Sequence, residues 1–190
     1  KNTFSDFVES AQFLASEGWC DKNRIAANGG SAGGLLMGAV ANLSPETFRV
    51  IVAGVPFVDA LTTILDPSLP LTVGEWEEWG NPLEDPEVYQ YMKEYSPYEN
   101  VESVQYPAIL ATTSLNDIRV FYVEPAKWVA RLREETRNYE GGEAIPAHPI
   151  LFKCEMVAGH GGRSGRYARW EQRAEEYAFV LDQLGATELI

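Results

Sequence analysis

Five residues near the start of the chain, Gly29-Gly30-Ser31-Ala32-Gly33, hold a hydroxyl between glycines in the pattern G-x-S-x-G. The apolar run Arg24-Ile25-Ala26-Ala27-Asn28 before them suits a buried strand. Leu35-Leu36-Met37-Gly38-Ala39-Val40-Ala41 after them suits a helix, so Ser31 falls on a sharp strand-to-helix turn. Such a turn forces the serine into a strained backbone conformation and lifts its hydroxyl above the sheet. The amide N–H of Ala32, at the helix N-terminus, then points at a developing oxyanion. The bland alternative is a glycine-rich turn with an incidental serine, and the flanking strand and helix weigh against it. A phosphate-binding loop ranks low, because no Lys-Ser/Thr follows the glycines and the surroundings are acidic.

A serine nucleophile needs a base, and the base needs an orienting acid. The chain has two histidines. His148 lies between Ala147 and Pro149 ahead of a strand and is expected to pack or to meet solvent. His160 stands in Gly159-His160-Gly161-Gly162, just past a strand, where ligands of open α/β sheets gather. Asp117, in Ser114-Leu115-Asn116-Asp117-Ile118-Arg119-Val120, follows another strand. A turn aspartate is common. Yet Ser31, Asp117 and His160 each sit just past a strand, in the chain order Ser…Asp…His that α/β-hydrolases use.

The elements that must position these groups alternate. A helix is expected from Thr3, as N-cap with Asp6 three residues on, to Gly18, with Phe4, Phe7, Val8, Ala11 and Leu14 on one face. Further strands are expected over 24–28, 50–55, 108–113 and 149–154, and helices over 122–138 and 164–184. Pro125 is tolerated in the first turn of the former. In the latter, Trp170, Ala174, Tyr177, Leu181 and Leu184 form the inner face. Residues 57–106, rich in proline and aromatics, read as irregular. Alternating strands and helices imply an α/β fold: a mostly parallel sheet with helices on both faces, narrow enough to leave an edge open.

Composition limits the function classes. The 190 residues carry a formal net charge of −13, with 45% hydrophobic and 23% charged residues, which suits one globular domain. Excess acid argues against a nucleic-acid or anionic-membrane surface. No apolar run approaches the roughly 20 residues of a membrane span. Cys20 and Cys154 are expected to be buried, reduced thiols of a cytoplasmic protein. Asn42-Leu43-Ser44 is formally a glycosylation sequon, discounted because Pro45 follows it directly. Two separated histidines without H-E-x-x-H give no metal-ligand set, and no cofactor is expected. The chain opens on Lys1 with no signal-peptide pattern, as a piece of a longer polypeptide would.

The sequence resembles the prolyl oligopeptidase family of serine peptidases, in particular its oligopeptidase B branch, over essentially its whole length. The resemblance rests on Gly29–Gly34, Val55-Pro56-Phe57-Val58-Asp59, Pro70-Leu71-Thr72 through Trp79-Gly80-Asn81-Pro82, Tyr95-Ser96-Pro97-Tyr98, Asn116–Val120 and Gly159–Arg166. It implies a partial α/β-hydrolase fold, the C-terminal part of a catalytic domain whose early sheet strands and β-propeller lie outside this chain. It implies Ser31 as nucleophile, His160 as base, Asp117 as orienter and Ala32 as oxyanion donor. It also implies cleavage after Arg or Lys in short basic peptides. Glu75 and Glu77 match carboxylates that hold the basic side chain, Phe57 a ring lining that pocket, and Arg119 an arginine that bonds the substrate backbone. Trp76 departs from the family's usual smaller aromatic. A second oxyanion donor, a tyrosine hydroxyl, is expected upstream. The 190 residues alone are therefore expected to be inactive or weak, and to associate through an open sheet edge or with the N-terminal part of the same enzyme.

The acidic segment supports that pocket independently. Residues 55–107 hold eleven Asp or Glu and one Lys, which is −10 of the total −13. A solvated acidic cap would look the same on charge alone. Carboxylates in a partly desolvated pocket would attract a guanidinium, and Phe57 could add a cation–π contact of about 0.5–2 kcal/mol. Two other readings stay open: an esterase or lipase on the same scaffold, disfavoured by the paired acids, and a non-catalytic fragment with an unused triad.

Overall fold

A computed structural model describes residues 1–140 and 147–187. Four strands, β1 (Ala26–Gly30), β2 (Val50–Gly54), β3 (Ala108–Ser114) and β4 (Ile150–Glu155), form one sheet in the order β1-β2-β3-β4. All three pairings are parallel, and the register aligns Ala27 with Ile51, Ile51 with Ile109, and Ile109 with Ile150. Strand alternation turns this apolar row to one face. There it packs with Leu35 and Met37 of α2 (Ala32–Leu43) and with Trp128 and Leu132 of α6 (Val123–Glu135) in the main core.

The opposite face carries Asn28, Val52, Thr112 and Lys153 toward α7 (Arg166–Gln183). Helices therefore cover both faces, as an α/β-hydrolase-like sheet requires, but unequally. A gap of about 570 Å³ separates the sheet from α7. The expected inner face of α7 is accordingly not buried: Trp170 and Tyr177 are each 58% exposed, Ala174 is exposed, and Leu181 and Leu184 are half-buried. α7 is tied instead by polar contacts, from Arg24 to the Leu184 carbonyl, from Arg49 to the Gln183 carbonyl, and between Lys153 and Glu175.

Other local expectations change too. α1 (Asn2–Ser16) starts before Thr3, with no side chain capping it, and Gly18 follows its end at φ +76°. Residues 57–106 are not simply irregular: they hold α3 (Ala60–Ile64), α4 (Thr72–Trp79) and α5 (Pro86–Lys93). The start of α5 was legible, since Asp85 caps it by accepting from the Glu87 and Val88 amides and Pro86 stands where a helix tolerates proline. α6 ends at Glu135 and a 3₁₀ turn over Arg137–Tyr139 follows. Both cysteines are free thiols, but Cys20 is exposed and Cys154 only half-buried, because each lies away from the main core. His148 is half-buried against Arg49, and the Asn42 side-chain amide donates to the Pro97 carbonyl. Among the described residues no helix is long and apolar enough to cross a membrane.

Candidate active site

β1 runs two residues further than its apolar pattern, into Gly29 and Gly30, and delivers the chain to Ser31. Ser31 adopts φ 58°, ψ −119°, a conformation that costs an L-residue about 1–3 kcal/mol. The surroundings hold it there. Its N–H donates to the Gly54 carbonyl at 2.9 Å, and its own carbonyl accepts from the amides of Gly34, Leu35 and Phe57. Gly29 is required by packing, since a Cβ there would stand 2.3 Å from the Gly33 carbonyl oxygen. A Cβ on Gly34 would stand 2.4 Å from Pro56 Cα, so the strand after β2 passes directly over the start of α2. Ala32 opens α2, and the first N–H groups of a helix have no partner within it. The amide beside the serine is thus available to an oxyanion.

Val55 is the second non-glycine residue with positive φ, at 39°, and it precedes a proline, where that conformation is especially unfavourable. The kink turns the chain so that Pro56 meets Gly34 and the Phe57 amide reaches the Ser31 carbonyl at 3.1 Å. Val55 was expected as the last residue of the strand over 50–55, but β2 ends at Gly54 and nothing in the sequence marks the positive φ.

Asp117 and His160, 43 positions apart, meet at the C-terminal rim of the sheet: His160 Nδ1 lies 2.8 Å from Asp117 Oδ2. A carboxylate only accepts, so Nδ1 carries the proton in this contact, and a neutral imidazole held this way has its lone pair on Nε2. The Asp117 side chain is fully buried and that of His160 is 20% exposed. Asp117 Oδ1 accepts from the amides of Arg119 and Val120, at 2.8 and 3.0 Å. The loop bearing His160 is tied to the Asp117 loop by the Asn116 amide on the Ala158 carbonyl, and an ion pair joins Arg163 to Glu155 at the end of β4.

Arg119 and Val120 also line the small cavity at Ser31, about 60 Å³, together with Ala32, Phe57, Thr63, Ile64, Thr72, Glu75 and Trp79. Asp117 therefore links the imidazole on one side to the wall of the serine's cavity on the other. No hydrogen bond joins Ser31 to His160 among the described residues, and His160 borders the larger gap under α7. The small cavity is the chemically relevant one, because it holds the strained serine, its neighbouring amide and a carboxylate.

Of the two expected pocket acids, only Glu75 lines this cavity. Glu77 is exposed and does not line it. Both lie on α4, where a spacing of two residues turns side chains about 200° apart, so they cannot share a face. Glu75 Oε2 accepts from the Trp79 indole N–H at 2.7 Å, and Trp79 packs edge-on against Phe57 with ring centroids 5.9 Å apart. Arg119 is exposed on the rim. Trp79, Val120 and Thr63 joined the site unannounced, since only the packing of α3 and α4 against the β3 loop brings them there.

A model of the prolyl oligopeptidase family matches residues 1–187. The chain belongs to that family. The chain is similar to dipeptidyl aminopeptidase BI of Pseudoxanthomonas mexicana, 52% identical over 184 residues, covering 97% of this chain and 24% of the relative. Protease 2 of Moraxella lacunata is 52% identical over 186 residues, covering 97% of the chain and 26% of that protein. Among solved structures, oligopeptidase B from Leishmania major matches with a TM-score of 0.90 and 47% identity, over 98% of this chain and 24% of that one. Oligopeptidase B from Trypanosoma brucei, with covalently bound antipain, matches with a TM-score of 0.89 and 44% identity over 97% and 25%. The chain thus spans about a quarter of the length of these prolyl oligopeptidase relatives. They bear out the oligopeptidase B-like character of the sequence and its place in the α/β-hydrolase-like catalytic part.

Proposed function

We propose that the protein is a serine oligopeptidase that cleaves short peptides after Arg or Lys through an acyl-enzyme on Ser31. The observation that carries this is the bridge made by Asp117, whose two oxygens hold the His160 imidazole and the wall of the Ser31 cavity. The Ser31 hydroxyl attacks the scissile carbonyl as its proton passes to His160 Nε2. Asp117 fixes the tautomer and stabilises the imidazolium. The Ala32 amide stabilises the oxyanion, a donor of a kind worth about 10²–10³ in turnover. As the C–N bond breaks, the imidazolium protonates the leaving amine. Water then attacks the acyl-enzyme, giving its proton to His160, and Ser31 is released with its hydroxyl restored.

Glu75 supplies the specificity. With Oε2 held by Trp79, Oε1 is open to a guanidinium or ammonium, and the Phe57 and Trp79 rings line the aliphatic approach. Arg119, exposed on the rim, is placed to bond the substrate backbone. A lipid acyl chain would leave Oε1 of this carboxylate without a partner, which disfavours the lipase reading. A second reading, an exopeptidase that removes dipeptides, has support in the equal 52% identity to dipeptidyl aminopeptidase BI. The decisive experiment labels the natural protein containing these residues with an organophosphate and compares arginyl-amide substrates, blocked and unblocked at the N-terminus, with an apolar acyl ester. Labelling that vanishes in Ser31→Ala, with preference for blocked arginyl amides, is expected. Labelling that survives the substitution overturns the nucleophile, and preference for the unblocked dipeptide selects the exopeptidase.

A further inference from the structure

Glu124 stands in the first turn of α6, outside the Ser31 cavity, and is 98% buried. Its carboxyl reaches across to α3 twice. Oε2 accepts from the Asp59 amide at 3.0 Å, and Oε1 accepts from the Thr63 hydroxyl at 2.7 Å. α3 in turn suspends α4: the Thr72 hydroxyl donates to the Thr63 carbonyl at 3.2 Å, and the Trp76 indole donates to the Ile64 carbonyl at 3.1 Å. Thr63, Ile64, Thr72 and Glu75 all line the cavity. α3 is only five residues long, too short to hold its own position without tertiary contacts. One buried carboxyl thus anchors the segment from which the Glu75-bearing helix hangs.

Resting on the specificity proposed above, we infer that Glu124 is a positioning residue for recognition of the basic side chain, acting through α3 and α4 on the placement of Glu75. It touches neither substrate nor reacting atoms. Its anchoring depends on its protonation. As a carboxylate it accepts both hydrogen bonds; a protonated carboxyl has one oxygen turned donor and holds α3 less well. The groups facing it are Asp59, whose Oδ1 is buried without a partner, and Lys127, which pairs with Asp59 Oδ2. Burial, with the Asp59 charge adding to it against the opposing hydrogen bonds and Lys127, pushes the Glu124 carboxyl up to about 7. The tie is therefore complete only above neutral pH.

Glu124→Gln keeps the shape and supplies one acceptor in place of two, which mimics the protonated acid. In the natural protein, KM for a benzoyl-arginine anilide should rise about 5- to 20-fold at pH 8, in keeping with loss of a buried hydrogen bond and a small displacement of the pocket. kcat should change less than twofold. The KM ratio of variant to wild type should fall toward one at pH 5.5, where the wild type is itself protonated. A merely structural role would raise KM for the apolar ester as much as for the arginyl anilide. Equal KM values at pH 8, a pH-independent ratio, or the same rise for an apolar ester would overturn the inference. If Glu124→Gln does not fold, Thr72→Val decides, since it cuts the tie between α3 and α4 without changing size: a KM raised on the arginyl substrate but not on the apolar ester supports the relay, and an unchanged KM, or an equal rise on both, refutes it. A wild type that does not prefer arginyl substrates at all defeats the underlying specificity instead, and is distinguished by being seen before any variant is made.

Discussion

Replacing Asp117 by Asn tests the proposed catalytic constellation at its most constrained point. The substituted amide has one acceptor and one donor where the carboxylate had two acceptors. Its oxygen can serve either the His160 Nδ1–H or the Arg119 and Val120 amides, not both. Facing the amides keeps two buried backbone donors satisfied at 2.8 and 3.0 Å. The amide NH₂ then faces Nδ1 and forces the imidazole into the tautomer protonated on Nε2, which cannot take the serine's proton. The productive orientation requires a flip that leaves both backbone N–H groups facing a donor, at about 1–3 kcal/mol each. A total of roughly 2–6 kcal/mol populates the flipped state at about 3% down to about 10⁻⁴ or less, since each 1.4 kcal/mol is a factor of ten. kcat on an arginyl anilide should therefore fall about 30- to 10⁴-fold, with KM little changed and the fold intact by circular dichroism. A loss smaller than tenfold would refute the reasoning, because it would mean that His160 does not need Asp117 to set its tautomer.

Two further outcomes follow from the same contacts. Glu75→Gln should raise KM for arginyl substrates about 10- to 100-fold, from losing a charge-assisted hydrogen bond worth about 1.5–3 kcal/mol, and leave apolar substrates nearly unaffected; an unchanged arginine preference in a KM series removes Glu75 from the pocket. Glu124 also predicts a pH dependence of stability. The carboxylate accepts both hydrogen bonds from α3, but burial of its charge outweighs them and holds the folded carboxyl at about 7, above the ordinary value of 4.5. Its net contribution to stability is thus fullest at low pH and is lost as pH rises from about 4.5 through 7. The unfolding free energy of Glu124→Gln relative to wild type, from urea titrations, should therefore improve by about 3 kcal/mol between pH 4 and pH 8, and a flat difference would show that Glu124 titrates normally.

Much of the site was legible in the sequence because it is local. Gly29 and Ser31 announce the turn, since only glycine tolerates the approach to the Gly33 carbonyl and the turn's sterics involve a few adjacent residues. The strand ends before Asp117 and His160 were legible too, as apolar runs in β3 and β4. What the chain order could not supply was the contact itself. Register in the parallel sheet and the loop tie from Asn116 to Ala158 bring Asp117 and His160 to 2.8 Å.

Rotation about a helix axis was equally hidden. Glu75 and Glu77 look equivalent in sequence, and only the docking of α4 on α3 through Thr72 and Trp76 decides that Glu75 faces the serine. Glu124 reads as an ordinary acid in the first turn of a helix until α3 closes over it. Trp170 and Tyr177 show the converse: their periodicity announces an inner face, but periodicity cannot say whether a surface is there to meet it. Sequence fixes what short-range sterics and hydrophobic spacing dictate: the strained turn, the parallel α/β alternation and the order of the reactive groups. Which of those groups touch, and which carboxylates lose water, is decided by tertiary packing, because burial and hydrogen-bond partners belong to pairs of segments rather than to either one.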